Sequence, residues 1–424
     1  MASNSATRYD FVVFGATGFT GQFVVEEIAR IAEEEPGLTW AIAGRKMDKL
    51  QKVLENASKH TGKEIEDIPI IIADSSSEQS LYDMCSQAKV LLNCVGPYRF
   101  HGEQVVKACI EAKASHIDIS GEPQFLEKVQ LLYHAKAKEA GVYVVGSCGF
   151  DSVPADMGTV YTKNNFPGDL NSIEAFLDLQ TGSDGITLNT GTFESAVYGF
   201  AAQSELPALR KSLFPSPLPK SNHRLPKRSV FKSEEVDKWC VPFPGSDRSV
   251  VNRTQRYNYD VNKERPVQFV PYFCRPGLIS TILMIIFATV FGLLAKIAPS
   301  LLLKFPTFFS GGAFSPSGAT KKQMEETSFT MTFYGKGYEK KIPDVDVQHE
   351  EAPTKTIVTR VAGPEPGYVA TPICMVQSAL VLIKERSKLP PGGGVYTPGA
   401  AFQNTSLIER LDKHNVKFTV VETK

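Results

Sequence analysis

The feature that most constrains this fold is an apolar run that leads directly into three closely spaced glycines. Residues 10–15 (DFVVFG) contain Val and Phe, and a helical pattern begins after Gly15, Gly18 and Gly21. Gly15 permits a tight turn, Gly18 lets the backbone approach a bound group, and Gly21 lets a helix pack closely on a strand. The start of that helix offers free N–H groups to an anion. The pattern predicts a pyrophosphate-binding loop, with a ligand-free glycine turn as the alternative.

The first third of the chain alternates short apolar runs with amphipathic stretches. The predicted strands are 10–15, 39–44, 68–74, 89–96, 116–120 and 142–146. The predicted helices between them are 22–35, 48–58, 77–86, 102–113 and 123–140. Strands that alternate with helices over short connections predict a doubly wound parallel sheet with helices on both faces. Residues 1–150 are therefore expected to form an α/β Rossmann domain that binds a dinucleotide.

The end of the second predicted strand bears on which dinucleotide is bound. Domains selective for NAD carry Asp or Glu there, which binds the ribose 2′-hydroxyl. This chain has Arg45 and Lys46 instead. Both cations can pair with a 2′-phosphate, and Arg can do so with two parallel hydrogen bonds. NADP(H) is therefore preferred over NAD(H), although the same residues also suit a solvated helix start.

Further cofactor contacts are expected where the third and fourth strands end. Asp74 lies where such folds contact the adenine, and Asn93, Gly96 and Pro97 lie beside the expected nicotinamide ribose. Local capping is an equal alternative for these residues. With the loop and the two cations, the predicted cofactor site is Gly15, Ala16, Thr17, Gly18, Phe19, Thr20, Gly21, Arg45, Lys46, Asp74, Asn93, Gly96 and Pro97.

A second domain for substrate binding and dimerisation is expected over residues 151–365. Apolar and polar residues alternate over 328–339 and 354–363, which predicts antiparallel strands in a mixed or antiparallel sheet. Residues 205–238 are rich in Pro, Ser, Lys and Arg, so a loop insertion is expected there. Residues 366–424 are expected to return to the first domain.

One segment, residues 277–304, is too apolar for an ordinary surface. Its first part carries no charge up to Lys296, so a helix there nearly matches the roughly 30 Å hydrocarbon core of a bilayer. A buried core helix, a single membrane span, and a membrane-embedded hairpin or surface anchor are the three alternatives. The last is preferred because Pro299 can break the helix and both Lys296 and Lys304 can reach the interface.

Charge and cysteine usage exclude some classes of protein. Lys and Arg total 46, as do Asp and Glu, and this balance argues against a nucleic-acid partner. The seven cysteines lack C-x-x-C spacing and nearby His, which predicts free thiols in a reducing compartment and no metal site. The short polar N-terminus over residues 1–8 leaves no room for a targeting signal, so a cytosolic chain is expected.

Five motifs together resemble the saccharopine dehydrogenase-like oxidoreductase family. Besides the glycine loop they are AGR (43–45), NCVGPY (93–98), IDISGE (117–122) and GFDSVPAD (149–156), and TPGAAF (397–402) extends the likeness towards the C-terminus. The resemblance implies a Rossmann domain, a second α/β domain and a C-terminal helix that returns to the first. It also implies association with lipid droplets and other membranes. It does not imply cleavage of saccharopine.

Hydride transfer often needs a side chain that supplies or removes a proton. The sequence has neither the Tyr and Lys pair of short-chain reductases nor a Cys–His arrangement. The catalytic candidates are Tyr98, Asp118 and Asp151, which line the predicted carboxyl edge of the sheet. A structural role is the alternative for each, and Asp151 also suits a helix N-cap. Residues 190–195 offer hydroxyl and backbone donors suited to a carbonyl or carboxylate group.

The expected function is NADP(H)-dependent reduction of a C=C, C=O or C=N bond in a lipidic or otherwise apolar substrate. The expected place is the cytosolic face of lipid droplets or membranes, with mitochondrial association left open. A cofactor-binding sensor or scaffold with little chemistry is one alternative. An amino-acid dehydrogenase is another, disfavoured because Lys163 is the only basic residue over 151–200. A homodimer is the default for such enzymes.

Overall fold

The structure, a computed structural model, describes residues 8–424. Residues 1–7, on which the expectation of no targeting signal rests, lie outside the described part. The strands are β1 (Tyr9–Phe14), β2 (Trp40–Gly44), β3 (Ile70–Ile72), β4 (Ala88–Asn93), β5 (Ser115–Asp118), β6 (Tyr143–Val145), β7 (Asp169–Gln180), β8 (Leu188–Asn189), β9 (Phe231–Ser233), β10 (Lys238–Pro242), β11 (Gln268–Arg275), β12 (Phe314–Ser315), β13 (Ser328–Tyr338), β14 (Lys355–Pro364), β15 (Gly394–Tyr396) and β16 (Lys417–Thr423).

The helices lie between these strands and pack against both sheets. They are α1 (Phe19–Ile31), α2 (Met47–Thr61), α3 (Glu78–Cys85), α4 (Tyr98–Glu111), α5 (Pro123–Ala140), α6 (Val153–Asn165), α7 (Thr190–Ala201), α8 (Leu206–Leu213), α9 (Asp247–Tyr257), α10 (Leu278–Ile297), α11 (Pro299–Lys304), α12 (Pro306–Phe309), α13 (Lys321–Glu325), α14 (Thr371–Lys384), α15 (Pro398–Phe402) and α16 (Leu407–Lys413). All seven cysteines are free thiols, as predicted.

The first sheet confirms the predicted Rossmann architecture. Its order is β15-β6-β5-β4-β1-β2-β3, and every neighbouring pair is parallel. Successive side chains of a strand point to opposite faces. Phe11 and Val13 accordingly pack with α1 and α2, whereas Val12 and Phe14 pack with α3 and α4. Burial on both faces explains why these strands read as continuous apolar runs.

The second sheet is mixed, in the order β16-β14-β13-β7-β11-β10-β9. β7 and β11 are parallel, and the other neighbouring pairs are antiparallel. The predicted antiparallel pairing of β13 with β14 is confirmed, with Phe333 opposite Thr359. One continuous core joins the two sheets, since Val13, Ile173 and Phe333 belong to the same cluster of buried side chains.

The C-terminal residues divide between the two sheets. Helix α14 packs against α1, and β15 extends the first sheet beside β6. The last strand, β16, instead pairs with β14 at the edge of the second sheet. The expectation that all of 366–424 returns to the first domain is therefore corrected. The reason is that the outer edge of β14 offers backbone N–H and C=O groups, which β16 pairs.

The predicted loop over 205–238 contains regular structure at both ends. Helix α8 begins at Leu206, and β9 belongs to the second sheet. Arg210 on α8 donates to both carboxylate oxygens of Glu127 on α5, at 2.9–3.1 Å. Glu127 is buried, so this charge-assisted pair fixes α8 against the first domain.

The apolar segment forms α10, α11 and α12, and the helix breaks before Pro299 as predicted. Its inner side, including Phe291 and Ala295, packs on α7. Its outer side is exposed, with Ile279 at 77% and Leu283 at 61% of full exposure. The core-helix alternative is therefore wrong. A single span also conflicts with the fold, because strands on either side of α10 share both sheets.

The described residues contain two helical segments that are long and apolar enough to cross a membrane. One is α10, and the other is Pro366–Lys384, which includes α14. The second segment is mostly buried, and its helix α14 packs on α1 and on β4 and β5 of the first sheet as part of the core. Of these two segments, α10 is therefore the one whose apolar side chains are exposed on the surface.

Candidate functional site

A cleft of about 1630 Å³ lies between the carboxyl edge of the first sheet and the second half of the chain. On one side its walls are the start of α1 and the loops after β4 and β5. On the other side they are α7, α9 and strands β7 and β11. Ligands of doubly wound sheets bind outside the carboxyl ends of the strands. This cleft is therefore the candidate site.

The glycine loop has the shape that a pyrophosphate group requires. Gly15 adopts a φ of +83°, and a Cβ there would lie 2.7 Å from Cγ2 of Val95. A Cβ on Gly21 would collide with the carbonyl oxygen of Gly15. Gly18 is the N-cap of α1, no side chain caps this helix, and its first turn carries no acidic residue. The free N–H groups and the positive end of the helix dipole therefore fit a phosphate.

Three of the seven predicted loop residues line the cleft, namely Gly18, Phe19 and Thr20. Of the other four, Gly15, Ala16 and Thr17 form the turn before α1, and Gly21 lies in the first turn of α1. The ring of Phe19 packs edge-on against Tyr368, with ring centroids 4.7 Å apart. This contact joins the phosphate loop to the segment that precedes α14.

Arg45 and Lys46 follow β2, and both side chains are exposed. Asp74 follows β3, where its Oδ1 accepts hydrogen bonds from the N–H and the hydroxyl of Ser76, both at 2.9 Å. These two hydrogen bonds lower the pKa of Asp74, and the nearby charges of Arg45 and His101 add to the effect. Asp74 therefore caps its own turn and lies near one of the two cations expected to bind a 2′-phosphate.

The residues after β4 divide between the wall of the cleft and its support. Gly96 and Pro97 line the cleft, whereas Asn93 is completely buried. Oδ1 of Asn93 accepts the N–H of Val95 at 3.1 Å, and Nδ2 lies 3.3 Å from Nε2 of His116. Asn93 therefore shapes the loop that carries Gly96 and Pro97, and its side chain does not face the cleft.

Tyr98, a predicted catalytic residue, lines the cleft at the start of α4, but its hydroxyl group is already engaged. Oη donates to the carbonyl oxygen of Asn93 at 2.8 Å. Burial raises the pKa of Tyr98 well above its ordinary value, and the neighbouring Cys94 and Asp118 raise it further. A phenol that holds its proton this firmly is a poor proton donor. The geometry favours the structural alternative for Tyr98.

Asp118, the second predicted catalytic residue, is buried at the end of β5 and does not line the cleft. Its Oδ1 accepts the N–H of Ser120 at 2.9 Å and that of Ser147 at 3.1 Å, which joins the ends of β5 and β6. Burial raises the pKa of Asp118 to about 7, although both N–H groups act to lower it. A side chain without access to the cleft cannot touch a substrate. A structural role therefore replaces the catalytic role expected for Asp118.

Glu122 connects the two halves of the cleft. Its Oε1 accepts the N–H of Tyr98 and its Oε2 that of Arg99, both at 3.0 Å. A negative charge is favoured at a helix N-terminus, which explains why α4 begins at Tyr98 and not at residue 102 as predicted. From the second half, the hydroxyl of Ser195 donates to Oε1 at 2.9 Å. This donor in the 190–195 segment therefore binds a carboxylate of the chain itself.

Asp151, the third predicted catalytic residue, carries a carboxyl group that faces the cleft. A Cβ on Gly121 would lie 2.9 Å from its Oδ2, which places the carboxyl beside the loop after β5. The backbone carbonyl oxygen of Asp151 accepts a hydrogen bond from the hydroxyl of Ser246. Within residues 8–424, the carboxyl oxygens of Asp151 have no hydrogen-bond partner. Helix α6 has no side-chain cap, so the N-cap alternative is not observed. Although the side chain of Asp151 is exposed to the cleft, the surrounding protein removes part of its hydration, and this desolvation raises its pKa.

Two further carboxyl groups lie behind Asp151. Burial raises the pKa of Asp247 well above its ordinary value, and the charges of Asp151 and Asp156 add to this. Burial also raises the pKa of Asp156 to about 6, although the N–H of Gly399 and the hydroxyl of Thr254 donate to it. Poor solvation of neighbouring acids favours their protonated forms. In the described chain, no group of three His, Cys, Asp or Glu residues is arranged to hold a metal ion.

Sequence reasoning missed the contribution of α9. Arg248, Asn252 and Arg256 recur every four residues, so they share one face of the helix, and all three line the cleft. This four-residue spacing is the feature of the sequence from which a shared polar face on α9 could have been predicted. The cations that line the cleft lie between residues 210 and 256, outside the 151–200 segment in which an amino-acid dehydrogenase was expected to carry its basic substrate contacts.

Comparison with known proteins agrees with the site. A family model described as the saccharopine dehydrogenase NADP binding domain matches residues 11–145. Among solved structures, apo saccharopine dehydrogenase from Saccharomyces cerevisiae has a TM-score of 0.56 at 12% identity, over 97% of this chain and 99% of that one. At this level of identity the likeness shows a shared fold.

Three curated relatives match nearly the whole chain. The human "saccharopine dehydrogenase-like oxidoreductase" is 49% identical over 98% of each chain. The "lipid droplet localized protein" of Caenorhabditis elegans is 41% identical over 97% of this chain and 98% of its own. An Arabidopsis thaliana protein named "probable mitochondrial saccharopine dehydrogenase-like oxidoreductase" is 35% identical over 97% and 96%. The chain therefore belongs to the saccharopine dehydrogenase-like oxidoreductases, a family whose N-terminal domain is an NADP binding domain.

Proposed function

We propose that this protein is an NADP(H)-dependent reductase of apolar substrates that works at a lipid surface. The observation that carries the proposal is the position of Phe200 on α7. Its ring lines the cleft and also packs edge-on against Phe291 of α10, with centroids 5.6 Å apart. The wall of the cleft and the support of the exposed apolar helix are therefore the same element.

The residues of the chain fit the tasks of such a reductase. The glycine loop holds the pyrophosphate of the cofactor, and Arg45 and Lys46 pair with its 2′-phosphate. When bound, the reduced cofactor supplies the hydride that a C=C, C=O or C=N bond accepts. Asp151 gives its carboxyl proton to the other atom of that bond and is left as a carboxylate. Since this carboxyl faces the cleft, water can return the proton.

The outer face of α10 is the proposed docking surface. We define this face by Ile279, Leu283 and Ile286, which recur at helical spacing and are exposed. Monomeric soluble proteins rarely expose a large contiguous apolar patch, and such patches mark interaction sites. The name of the worm relative supports lipid droplets as the place, where docking from the cytosolic face is our proposal, and the name of the plant relative supports mitochondrial association as an alternative.

A substrate panel tests the reductase. We expect the full chain, mixed with phospholipid vesicles, to oxidise NADPH when long-chain enoyl, keto or imino compounds are added. Amino acids are expected to give no turnover, because Leu177, Leu179 and Phe273 line the cleft with apolar side chains that a small polar substrate does not match. Tight NADPH binding without turnover of any compound would instead support the cofactor-binding scaffold. The engaged groups of Tyr98 and Asp118 are the observation that favours this second candidate.

Flotation with phospholipid-coated triolein droplets tests the docking surface. The variant I279Q/L283Q/I286Q should remain in the soluble fraction while still binding NADPH. The matched control L131Q/L132Q alters exposed apolar residues of α5 and should float like the unaltered protein. Flotation of the α10 variant would refute docking through this face. Deleting 277–304 is a poorer test because it strips Phe193 of its buried neighbours.

The assembly state belongs to the same proposal. Enzymes of this kind are most often homodimers with a two-fold axis, and we propose a homodimer on that ground. Light scattering of the detergent-solubilised chain measures the mass directly. A monomer over a wide range of concentration would reject the dimer and would leave the reductase proposal unaffected.

A further inference from the structure

Away from the glycine loop the cleft continues into a groove with basic walls. One wall is the face of α9 that carries Arg248, Asn252 and Arg256. The other wall is the extended segment 214–221 together with Arg224. We call this part of the cleft the basic groove. Arg256 donates to the carbonyl oxygen of Ser216, and this contact fixes the two walls relative to each other.

Three cations of the basic groove are uncommitted. Lys220, Arg224 and Arg248 are exposed, and none makes an ion pair or a side-chain hydrogen bond with residues 8–424. By contrast, Arg256 pairs with Asp260, and Arg210 pairs with Glu127. A concave site lined by charges of one sign concentrates ligands of the opposite sign. The groove is therefore suited to an anionic group.

Strands β7 and β11 run along the cleft from the basic groove, where Gln268 donates to the carbonyl oxygen of His223, to an apolar middle part in which Phe273 lies opposite Leu177. Leu177 and Leu179 of β7, Phe273 of β11 and Phe200 of α7 line this middle part. Covering these apolar side chains with a hydrocarbon chain removes apolar surface from water, which favours binding, whereas a polar ligand would lack this contribution to its binding free energy. The cleft thus has a phosphate-binding end, an apolar middle and a cationic end.

The volume of the cleft is large enough for two ligands. Sites for a single small ligand usually measure about 300–1,000 Å³. The cleft measures about 1630 Å³. A cofactor at the glycine loop therefore leaves room for a second molecule that extends across the apolar middle to the basic groove.

We infer that the second ligand is a single-chain amphiphile with an anionic headgroup, a carboxylate or a phosphate ester, whose headgroup binds Lys220, Arg224 and Arg248. Its hydrocarbon chain lies in the apolar middle, which directs it towards Asp151 and the glycine loop. That this ligand binds is inferred only from the residues that line the cleft. Its role as the molecule that is reduced rests on the proposed function.

Three probes with one hydrocarbon chain and different headgroups test the inference. Oleate carries a carboxylate, oleoyl lysophosphatidate carries a phosphate ester, and oleyl alcohol is uncharged. Binding to the NADPH-loaded full chain is measured by calorimetry below the concentration at which each probe forms micelles. A charge-assisted hydrogen bond contributes about 1.5–3 kcal/mol, so at least one anionic probe should bind about tenfold or more tightly than the alcohol. The two anionic probes distinguish a carboxylate from a phosphate site.

Variants locate the preference within the molecule. In R224Q/R248Q the advantage of the anionic probe should fall to about threefold or less, because two of the three headgroup partners are lost and only Lys220 remains. The matched control K340Q/K341Q removes two exposed charges outside the cleft and should keep the full advantage. The variant I279Q/L283Q/I286Q should also keep it, which excludes binding on the outer face of α10.

Two results would overturn the inference. Equal affinity for all three probes in the unaltered chain is one, and this measurement holds even when a variant fails to fold. An anionic preference that survives R224Q/R248Q is the other. If the preference is present and depends on these arginines while NADPH is never oxidised, the proposed reductase fails and the anionic site remains.

Discussion

The hydroxyl of Ser195 donates a hydrogen bond to Oε1 of Glu122, and this bond joins the two sides of the cleft. The same carboxylate accepts two N–H groups at the start of α4. One buried side chain therefore holds both the wall formed by α4 and the wall formed by α7. Because α7 also supports α10, the contact links the candidate active site to the proposed docking surface.

Replacing Glu122 should weaken the whole fold. Glu122→Ala removes three hydrogen bonds and leaves the N–H groups of Tyr98 and Arg99 without a partner. We expect a loss of about 1–3 kcal/mol in the free energy of unfolding, and about 1 kcal/mol for Ser195→Ala. Denaturation by urea measures both. Glu139→Ala, at an exposed position on α5, should change stability by less than about 0.5 kcal/mol.

The glycine loop should tolerate no side chain at Gly21. In Gly21→Ala the new Cβ collides with the carbonyl oxygen of Gly15, so α1 must move away from the phosphate-binding turn. NADPH binding, followed by nucleotide fluorescence, should become undetectable. Gly292→Ala is the control, because Gly292 also lies in a helix without a positive φ and a Cβ there would meet only ordinary contacts with Phe200, 3.6 Å or more away. Normal NADPH affinity in the Gly21 variant would show that the cofactor binds elsewhere.

Arg45 and Lys46 should decide between the two nicotinamide dinucleotides. In R45A/K46A the partners of the 2′-phosphate are lost, and we expect NADPH affinity to fall by about tenfold or more. NADH affinity should change little, since NADH has no 2′-phosphate. A parallel fall for both nucleotides would mean that the two residues support the fold of the loop and do not select the cofactor.

Asp151 should supply the proton in turnover. Asp151→Asn should lower kcat by about 100-fold or more while leaving the NADPH dissociation constant unchanged. Partial loss of hydration in the cleft raises the pKa of Asp151, so its protonated form persists to higher pH and kcat should fall as the pH rises through that raised pKa. The variant should lack this descending limb. Asp184→Asn, at the surface, should retain the profile of the unaltered enzyme, and an unchanged kcat in Asp151→Asn would exclude the role.

Asp118 should make stability depend on pH. Its pKa rises from 3.8 to about 7 on folding because of burial, so the folded chain binds a proton that the unfolded chain has lost. Stability therefore falls as the pH rises through this window, by a few kcal/mol at most. In Asp118→Asn the fall should be smaller by the contribution of Asp118, because the raised pKa values of Asp156 and Asp247 keep part of it while the hydrogen bonds to Oδ1 remain. The contribution of His116, whose pKa burial lowers to about 3, acts in the opposite direction in both proteins. Thermal melting between about pH 5 and about pH 8 measures the difference.

The parts of the fold that follow from local patterns could be predicted from the sequence. The glycine loop needs only a strand, a turn and a helix in succession, and these signals lie within residues 9–31. The apolar runs of the first sheet and the break before Pro299 are equally local. The structure confirmed these features because each depends mainly on residues that are close together in the sequence.

The parts that depend on distant residues could not be predicted. Whether Asp118 faces the cleft or the N–H of Ser147 depends on how β5 and β6 lie side by side. The order in α8 comes from Glu127, far away in the chain, and the edge position of β16 depends on β14. Local sequence patterns identify these residues and elements, but they do not indicate which distant residues or strands will contact them.

The late position of the strands that close both sheets has a consequence for synthesis of the protein. β6 at residues 143–145 waits for β15 at residues 394–396, and β7 waits for β13, so α10 leaves the ribosome before either partner exists. Tyr368 and Thr371, which line the cleft, are also made later. A nascent chain with an exposed apolar helix and unpaired edges is prone to aggregation. Helix α10 is thus available to a lipid monolayer or a chaperone before the cleft is complete. The nascent chain can therefore bind a lipid surface before its active site has formed.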